Sequence, residues 1–281
     1  MSSRTLSRAV TATVFMLWVS ISAARAQFTP EEINRREELE EFLLKARITG
    51  IRDLGQGITL PIRVYLKKGE VEHSAVWKNP SGVINGYYEG WKYEIAAYRL
   101  DKLLGLNLIP PTVERRFQGQ RGSLQLWVEH KYDLLEIVDN KIQLPGEGWE
   151  AVNLERMQYL ARVFDSLIAN EDRNLQNTLL TEDWRTILID HSRSFRSDAR
   201  FTKNLMYGLR PLRPGGVPLP FKRLPARLVE KLEALTFDSL KRTVGSYLTT
   251  KEINSVLTRR DLILKEIQEM ISAYGRDEVI Y

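Results

Sequence analysis

FDSLIANEDRNLQNTLLTEDWRTILIDHS spans residues 164–192. Its front closes an amphipathic helix, Leu154 to Ala169, in which Met157, Leu160, Ala161, Phe164, Leu167 and Ile168 recur at helical spacing. Asn177 to Leu180 and Ile187 to Asp190 read as two short apolar strands, a hairpin about Glu182-Asp183-Trp184. Asp172 lies between helix and hairpin, five residues before Asn177, and Asp190 ends the second strand thirteen residues after Asn177. A carboxylate near an acceptor hydroxyl, then an amide and a second carboxylate holding a metal, is the order of parts that phosphoryl transfer from a nucleotide uses.

Upstream, Ile58 to Leu66 and Val71 to Lys78 read as strands, and Tyr93 to Leu104 as a helix ended by Gly105. Lys78 closes the run Ser74-Ala75-Val76-Trp77-Lys78, and Glu94 follows sixteen residues later in the helix. A strand lysine held by a helix glutamate positions an ammonium on phosphates. Gly55-Gln56-Gly57-Ile58-Thr59 is a glycine turn whose N–H groups could meet phosphates, though a plain turn explains it equally well. Each residue alone also reads as a solvated strand end, a helix surface or a turn former. The joint order of Lys78, Glu94, Asp172, Asn177 and Asp190 is what favours chemistry.

Thr112 to Phe117 and Ser123 to Glu129 continue the strand-rich part. Helices are expected at Ala226 to Leu235, Phe237 to Tyr247 and Lys251 to about Tyr274, after a proline-rich loop from Leu209 to Phe221. The fold class expected is α+β, with an antiparallel sheet lobe carrying one helix and a mainly helical second lobe. The divisions are a leader at 1–26, a charged helix at 27–50, a β-rich nucleotide-binding unit at 51–130 and a helical catalytic unit at 131–281.

The leader expectation rests on Arg4 and Arg8, the apolar run Ala9 to Ala23 and the small-x-small triplet Ala24-Arg25-Ala26. The run is shorter than a spanning helix needs, so no stable membrane span is expected, and the chain reads as periplasmic or extracellular after cleavage near Ala26. The formal charge is +5, and +2 without the three arginines of residues 1–26. That balance argues against a nucleic-acid footprint, and Arg115-Arg116 reads as a solvated strand edge. With no cysteine and three scattered histidines, thiolate chemistry and a zinc site lack support. Neither a GxSxG elbow nor a GxxxxGK[ST] loop is present.

Asn170-Glu171-Asp172-Arg173-Asn174-Leu175-Gln176-Asn177 resembles the N-x-D-x-H-x-x-N loop of the atypical protein-kinase-like superfamily, in its HipA-type and phosphatidylinositol 3-/4-kinase branches. Ile189-Asp190-His191-Ser192 is similar to the I-D-F-G segment of those families, and Ala75-Val76-Trp77-Lys78 to V-A-I-K. The resemblance covers about Gly55 to Leu264, and only the catalytic segment is specific. It implies a two-lobed kinase-like fold that uses ATP with Mg²⁺ or Mn²⁺. Asp172 would be catalytic, Lys78 would contact phosphates and Glu94 would hold Lys78. Asn177 and Asp190 would bind metal, Gly57 and Thr59 would border the phosphates, and Glu129 and His130 would border the adenine through backbone contacts. Asn174 stands where the families carry His, and His191-Ser192 where they carry Phe-Gly. The glycine loop is minimal and no A-P-E-like sequence follows, so ordinary peptide docking is not implied. The acceptor is open among protein, lipid and small molecule. The alternatives are a nucleotide-binding or interaction module without turnover, and an AMP-transferring enzyme on the same fold.

Overall fold

A computed structural model describes residues 28–55, 61–212 and 218–281. The leader of residues 1–26 and the phosphate-border residues Gly57 and Thr59 lie outside them. Two helices open the described chain, α1 (Pro30–Asn34) and α2 (Arg36–Lys45). Thr29 and Glu32 cap α1 reciprocally, as Thr-Pro-Glu-Glu predicts. The single charged helix expected within 27–50 is divided at Arg35, whose backbone leaves the helical region (φ −88°, ψ 2°), and β1 (Arg47–Asp53) takes its end. The next residue, Arg36, is buried and donates to Asn107 Oδ1 at 2.7 Å, so the chain turns there to dock.

β2 (Ile62–Lys68) and β3 (Val71–Lys78) pair antiparallel across a turn containing Gly69, whose φ of 61° suits glycine. An unexpected hairpin follows, β4 (Ser81–Ile84) with β5 (Tyr87–Gly90). Its turn residues Asn85 and Gly86 both have positive φ, the conformation an Asn-Gly pair favours. Helix α3 (Trp91–Leu104) ends at left-handed Gly105. β6 (Thr112–Phe117) and β7 (Gln120–Leu126) complete an antiparallel sheet of order β1-β2-β3-β7-β6. β7 starts three residues earlier than expected because Gln118 and Gly119, both at positive φ, already make the tight turn.

Val64, Leu66, Ala75, Trp77 and Leu124 form a core on one face of this sheet, and Phe42 and Leu43 of α2 pack into it. Arg115 is not a solvated strand edge. Its guanidinium donates to the carbonyls of Leu43 and Ala46, where the last turn of α2 leaves acceptors unfilled.

The second half begins with β8 (Tyr132–Asp133), α4 (Leu134–Asp139) and α5 (Gly148–Ile168). β9 (Thr178–Leu180) and β10 (Thr186–Leu188) follow as the expected hairpin, and β8 joins them in a small sheet of order β10-β9-β8. Then come α6 (Ala199–Lys203), α7 (Ala226–Glu233), α8 (Phe237–Val244), α9 (Thr250–Tyr274) and α10 (Arg276–Val279). Met157, Leu160, Phe164, Leu167 and Ile168 of α5 pack with Ile253, Val256, Ile263 and Ile267 of α9 in the largest core. Each such side chain contributes about 1.5–3 kcal/mol by leaving water. The fold is mixed α+β with antiparallel sheets. Among the described residues no helix is long and apolar enough to cross a membrane.

Candidate functional site

Lys78 sits at the end of β3, where the strand meets α3 and the segment after β10. Its side chain is only 11% exposed, so it is not a solvated strand end. Nζ lies 3.0 Å from Glu94 Oε1 and 3.1 Å from Asp190 Oδ1. β7 can approach β3 closely here because Gly122 has no side chain: a Cβ would stand 2.5 Å from the Lys78 carbonyl. Burial works against the ammonium, but Asp190 and Glu94 outweigh it and raise the Lys78 pKa above the ordinary lysine value. Burial likewise opposes the Glu94 carboxylate, yet Lys78 and His191 hold its pKa well below the usual range.

Asp190 has a left-handed backbone, φ 56°, which is uncommon for a residue with a side chain. The peptide that follows is held, because His191 N donates to Glu94 Oε2 at 2.9 Å. Ser192 Oγ lies 2.5 Å from Glu89 Oε2 and 3.0 Å from Asp190 Oδ1, so its one hydrogen is shared between two carboxylates.

The segment between α5 and β9 is built from side-chain turns. Asn170 Oδ1 accepts from Asp172 N at 3.1 Å, and Asn174 Oδ1 accepts from Asn177 N at 3.1 Å. Asn177 Nδ2 donates to the Asp172 carbonyl at 3.1 Å, so the predicted catalytic and metal residues are tied to each other. The Asp172 side chain is about one-third exposed. Burial raises its pKa, Arg193 at 3.5 Å pulls it down, and Asp190, Glu89 and Glu171 add to the rise.

Glu89 and Arg193 were absent from the sequence expectations. Glu89 is buried at the end of β5 and pairs with Arg193, whose guanidinium also stacks 4.6 Å from the Tyr87 ring centroid. Gly90 N donates to the Ser192 carbonyl at 3.0 Å, and Arg196 donates to the Tyr88 carbonyl at 2.9 Å. The β4–β5 hairpin is thus sewn to the segment after Asp190. The signal that could have found it is Asn85-Gly86 between Val83-Ile84 and Tyr87-Tyr88.

Lys78, Glu94 and Asp190 therefore meet, with Asp172 and Asn177 on the adjoining loop. For Glu129 and His130 the expectation concerns the backbone; the Glu129 side chain is exposed and reaches Arg63 at 3.4 Å, and His130 Nδ1 lies 3.3 Å from the Val128 carbonyl. Around the cluster, the carboxylates Glu89, Glu94, Asp165, Glu171, Asp172 and Asp190 face the cations Lys78, Arg173, Arg193 and Arg196. Burial keeps His191 neutral by lowering its pKa. The group thus carries two excess negative charges. Among the described residues no set of three or more His, Asp or Glu is disposed to hold a metal unaided. Mg²⁺ ordinarily takes one or two protein carboxylates and completes its shell with phosphate and water, and Asp190 and Asn177 carry the kind of oxygen donors such an ion would use.

No protein-family model matches the chain, and no curated protein matches it.

Proposed function

We propose that the chain is an exported, atypical kinase-like phosphotransferase that moves the γ-phosphoryl group of ATP to a hydroxyl acceptor with Mg²⁺ or Mn²⁺. The observation that carries this reading is Lys78 Nζ standing 3.0 and 3.1 Å from two carboxylates, Glu94 and Asp190, that come from separate elements. A buried ammonium with a raised pKa stays charged at neutral pH and offers its donors to phosphate oxygens. Glu94 holds it in place. Asp172, whose pKa is raised, takes the proton of the acceptor hydroxyl as that oxygen bonds to phosphorus and the bond to the ADP oxygen breaks. Asn177 commits Nδ2 to the Asp172 carbonyl, which leaves its Oδ1 as the atom that would bind the ion together with the Asp190 carboxylate. Bound Mg²⁺ or Mn²⁺ supplies charge neutralisation to the phosphates, and the excess of two negative charges around the site favours such an ion.

Incubation with Mn²⁺ and ATP labelled at either the γ or the α position tests the reading. Transfer of γ-label that disappears in Asp190→Ala supports it. Transfer of α-label replaces it with AMP transfer, and ATP binding without transfer leaves a nucleotide-binding module. Absence of any ATP-dependent thermal shift defeats all three. Export rests on the leader-like pattern of residues 1–26. A secreted product whose N-terminus is not near Gln27 would remove that part.

A further inference from the structure

We propose that Arg173 is a positioning residue that clamps the loop of Asp172 and Asn177 to the segment after β10 that bears Asp190, and so sets the spacing of the two metal-ligand atoms. The inference rests on the phosphotransferase reading for its consequence, but on geometry alone for the clamp.

A guanidinium has five N–H donors in a rigid fork, and all five of these find acceptors. Nε and Nη2 donate to the two oxygens of Asp165 at 2.9 and 3.0 Å. Nη1 donates to the carbonyls of Asn177 at 2.7 Å and Ile189 at 2.9 Å. Nη2 also meets His191 Nε2 at 2.9 Å, and since an arginine can only donate, that ring nitrogen accepts and Nδ1 carries the proton. The anchor is firm. Asp165 lies on α5, is 1% exposed, and takes a further bond from Asn170 Nδ2 at 3.0 Å.

The carbonyls that Arg173 selects argue for a role beyond filling the core. One belongs to Asn177 itself, and the other to the residue immediately before Asp190. The peptide before Asp190 is held by Arg173 and the peptide after it by Glu94, so a left-handed backbone that would otherwise relax is fixed from both sides. Asn177 O also accepts from Ile189 N at 3.1 Å, which makes the clamp and the hairpin one unit. A lysine could replace the charge opposite Asp165, but its three donors on one atom cannot reach two carbonyls, a carboxylate and a ring nitrogen at once.

The test compares the wild-type chain with Arg173→Lys for ATP affinity with and without Mn²⁺, for turnover, and for the ¹⁵N shifts of His191. The clamp predicts that Arg173→Lys keeps metal-free ATP affinity within about twofold, loses at least about tenfold of the Mn²⁺-dependent tightening, and loses kcat more than it raises KM. Should Arg173→Lys fail to fold, Asp165→Asn removes the anchoring charge and is read in the same way. A folded variant that keeps wild-type Mn²⁺ tightening and kcat overturns the proposal. If the wild-type chain itself shows no ATP binding, the phosphotransferase reading fails separately, and the His191 spectrum decides the clamp. A wild-type Nε2 that is unprotonated and perturbed on substitution supports it, and an unchanged ring overturns it.

Discussion

Asp101→Asn probes the electrostatics of α3, the helix that carries Glu94. Asp101 is fully buried, accepts from Leu108 N at 2.9 Å through Oδ1, and leaves Oδ2 without a hydrogen bond among the described residues. Burial pushes its carboxyl from 3.8 up to about 7, against the opposing pull of the Leu108 N–H and of Arg36. A carboxyl raised on folding stabilises the folded state fully below its unfolded pKa, and that contribution is lost as pH rises through the folded value. The full window is worth about 4 kcal/mol at 1.36 kcal/mol per pH unit, of which about 2.5 kcal/mol falls between about pH 5 and about pH 8. Urea denaturation of wild type and variant at those two pH values measures it. His191, buried and neutral, has the opposite slope but is common to both proteins, so the difference isolates Asp101. The wild type should lose about 2.5 kcal/mol more than Asp101→Asn on going from the lower to the higher pH. Parallel losses in the two proteins would refute the assignment of a buried, protonatable carboxyl at this position.

Lys78→Met leaves Glu94 buried without its counter-charge and should cost about 3–5 kcal/mol, lowering the thermal midpoint by roughly 10 °C; a change under about 3 °C contradicts a buried ion pair. Gly122→Ala puts a methyl 2.5 Å from the Lys78 carbonyl and 2.8 Å from the Trp77 ring, and should cost about 1–3 kcal/mol in denaturant titrations. Gly119→Ala, at positive φ but with open space around it, should cost only about 1 kcal/mol, so equal losses would argue against the close β3–β7 approach. Arg115→Ala removes two charge-assisted bonds to the end of α2 and should cost about 2–3 kcal/mol. A solvated arginine would change stability by less than about 0.5 kcal/mol in the same titration.

The strands and helices that bury a continuous face were legible because burial writes a period into the sequence. β3 and β6 have the expected bounds and α9 starts one residue early, whereas α5 starts six residues before the expected Leu154 and ends one residue before Ala169. Lys78, Glu94 and Asp190 were legible through order along the chain, which survives folding. Glu89 was not, because its meaning lies in Arg193, a partner more than a hundred residues away, and no local pattern marks a glutamate for burial. Arg115 misled for the same reason. A strand arginine looks solvated until a helix end arrives with unfilled carbonyls. Arg259 on α9 is a further case: it is fully buried, donating to the Leu167 and Arg196 carbonyls at 2.8 and 2.7 Å, and burial lowers its pKa to about 9.

The charged helices before β1 illustrate how much of a site can depend on residues without chemistry. Glu32 on α1 and Arg36 and Glu40 on α2 flank the break at Arg35, hidden among many other charges. Each is used. Glu40 accepts from the Tyr98 hydroxyl and from Lys102 Nζ, one and two turns beyond Glu94 on α3. Arg36 reaches Asn107, just past the end of the same helix. Glu32 pairs with Arg185 at 2.7 Å in the β9–β10 turn, and Phe28 packs on Leu179 and Ile187 of those strands. One short arm therefore braces both the helix that aims Glu94 and the hairpin that aims Asp190. The 3.0 and 3.1 Å contacts of Lys78 are thus backed by a charged arm that packs on the domain, as its apolar Phe42 and Leu43 lead one to expect.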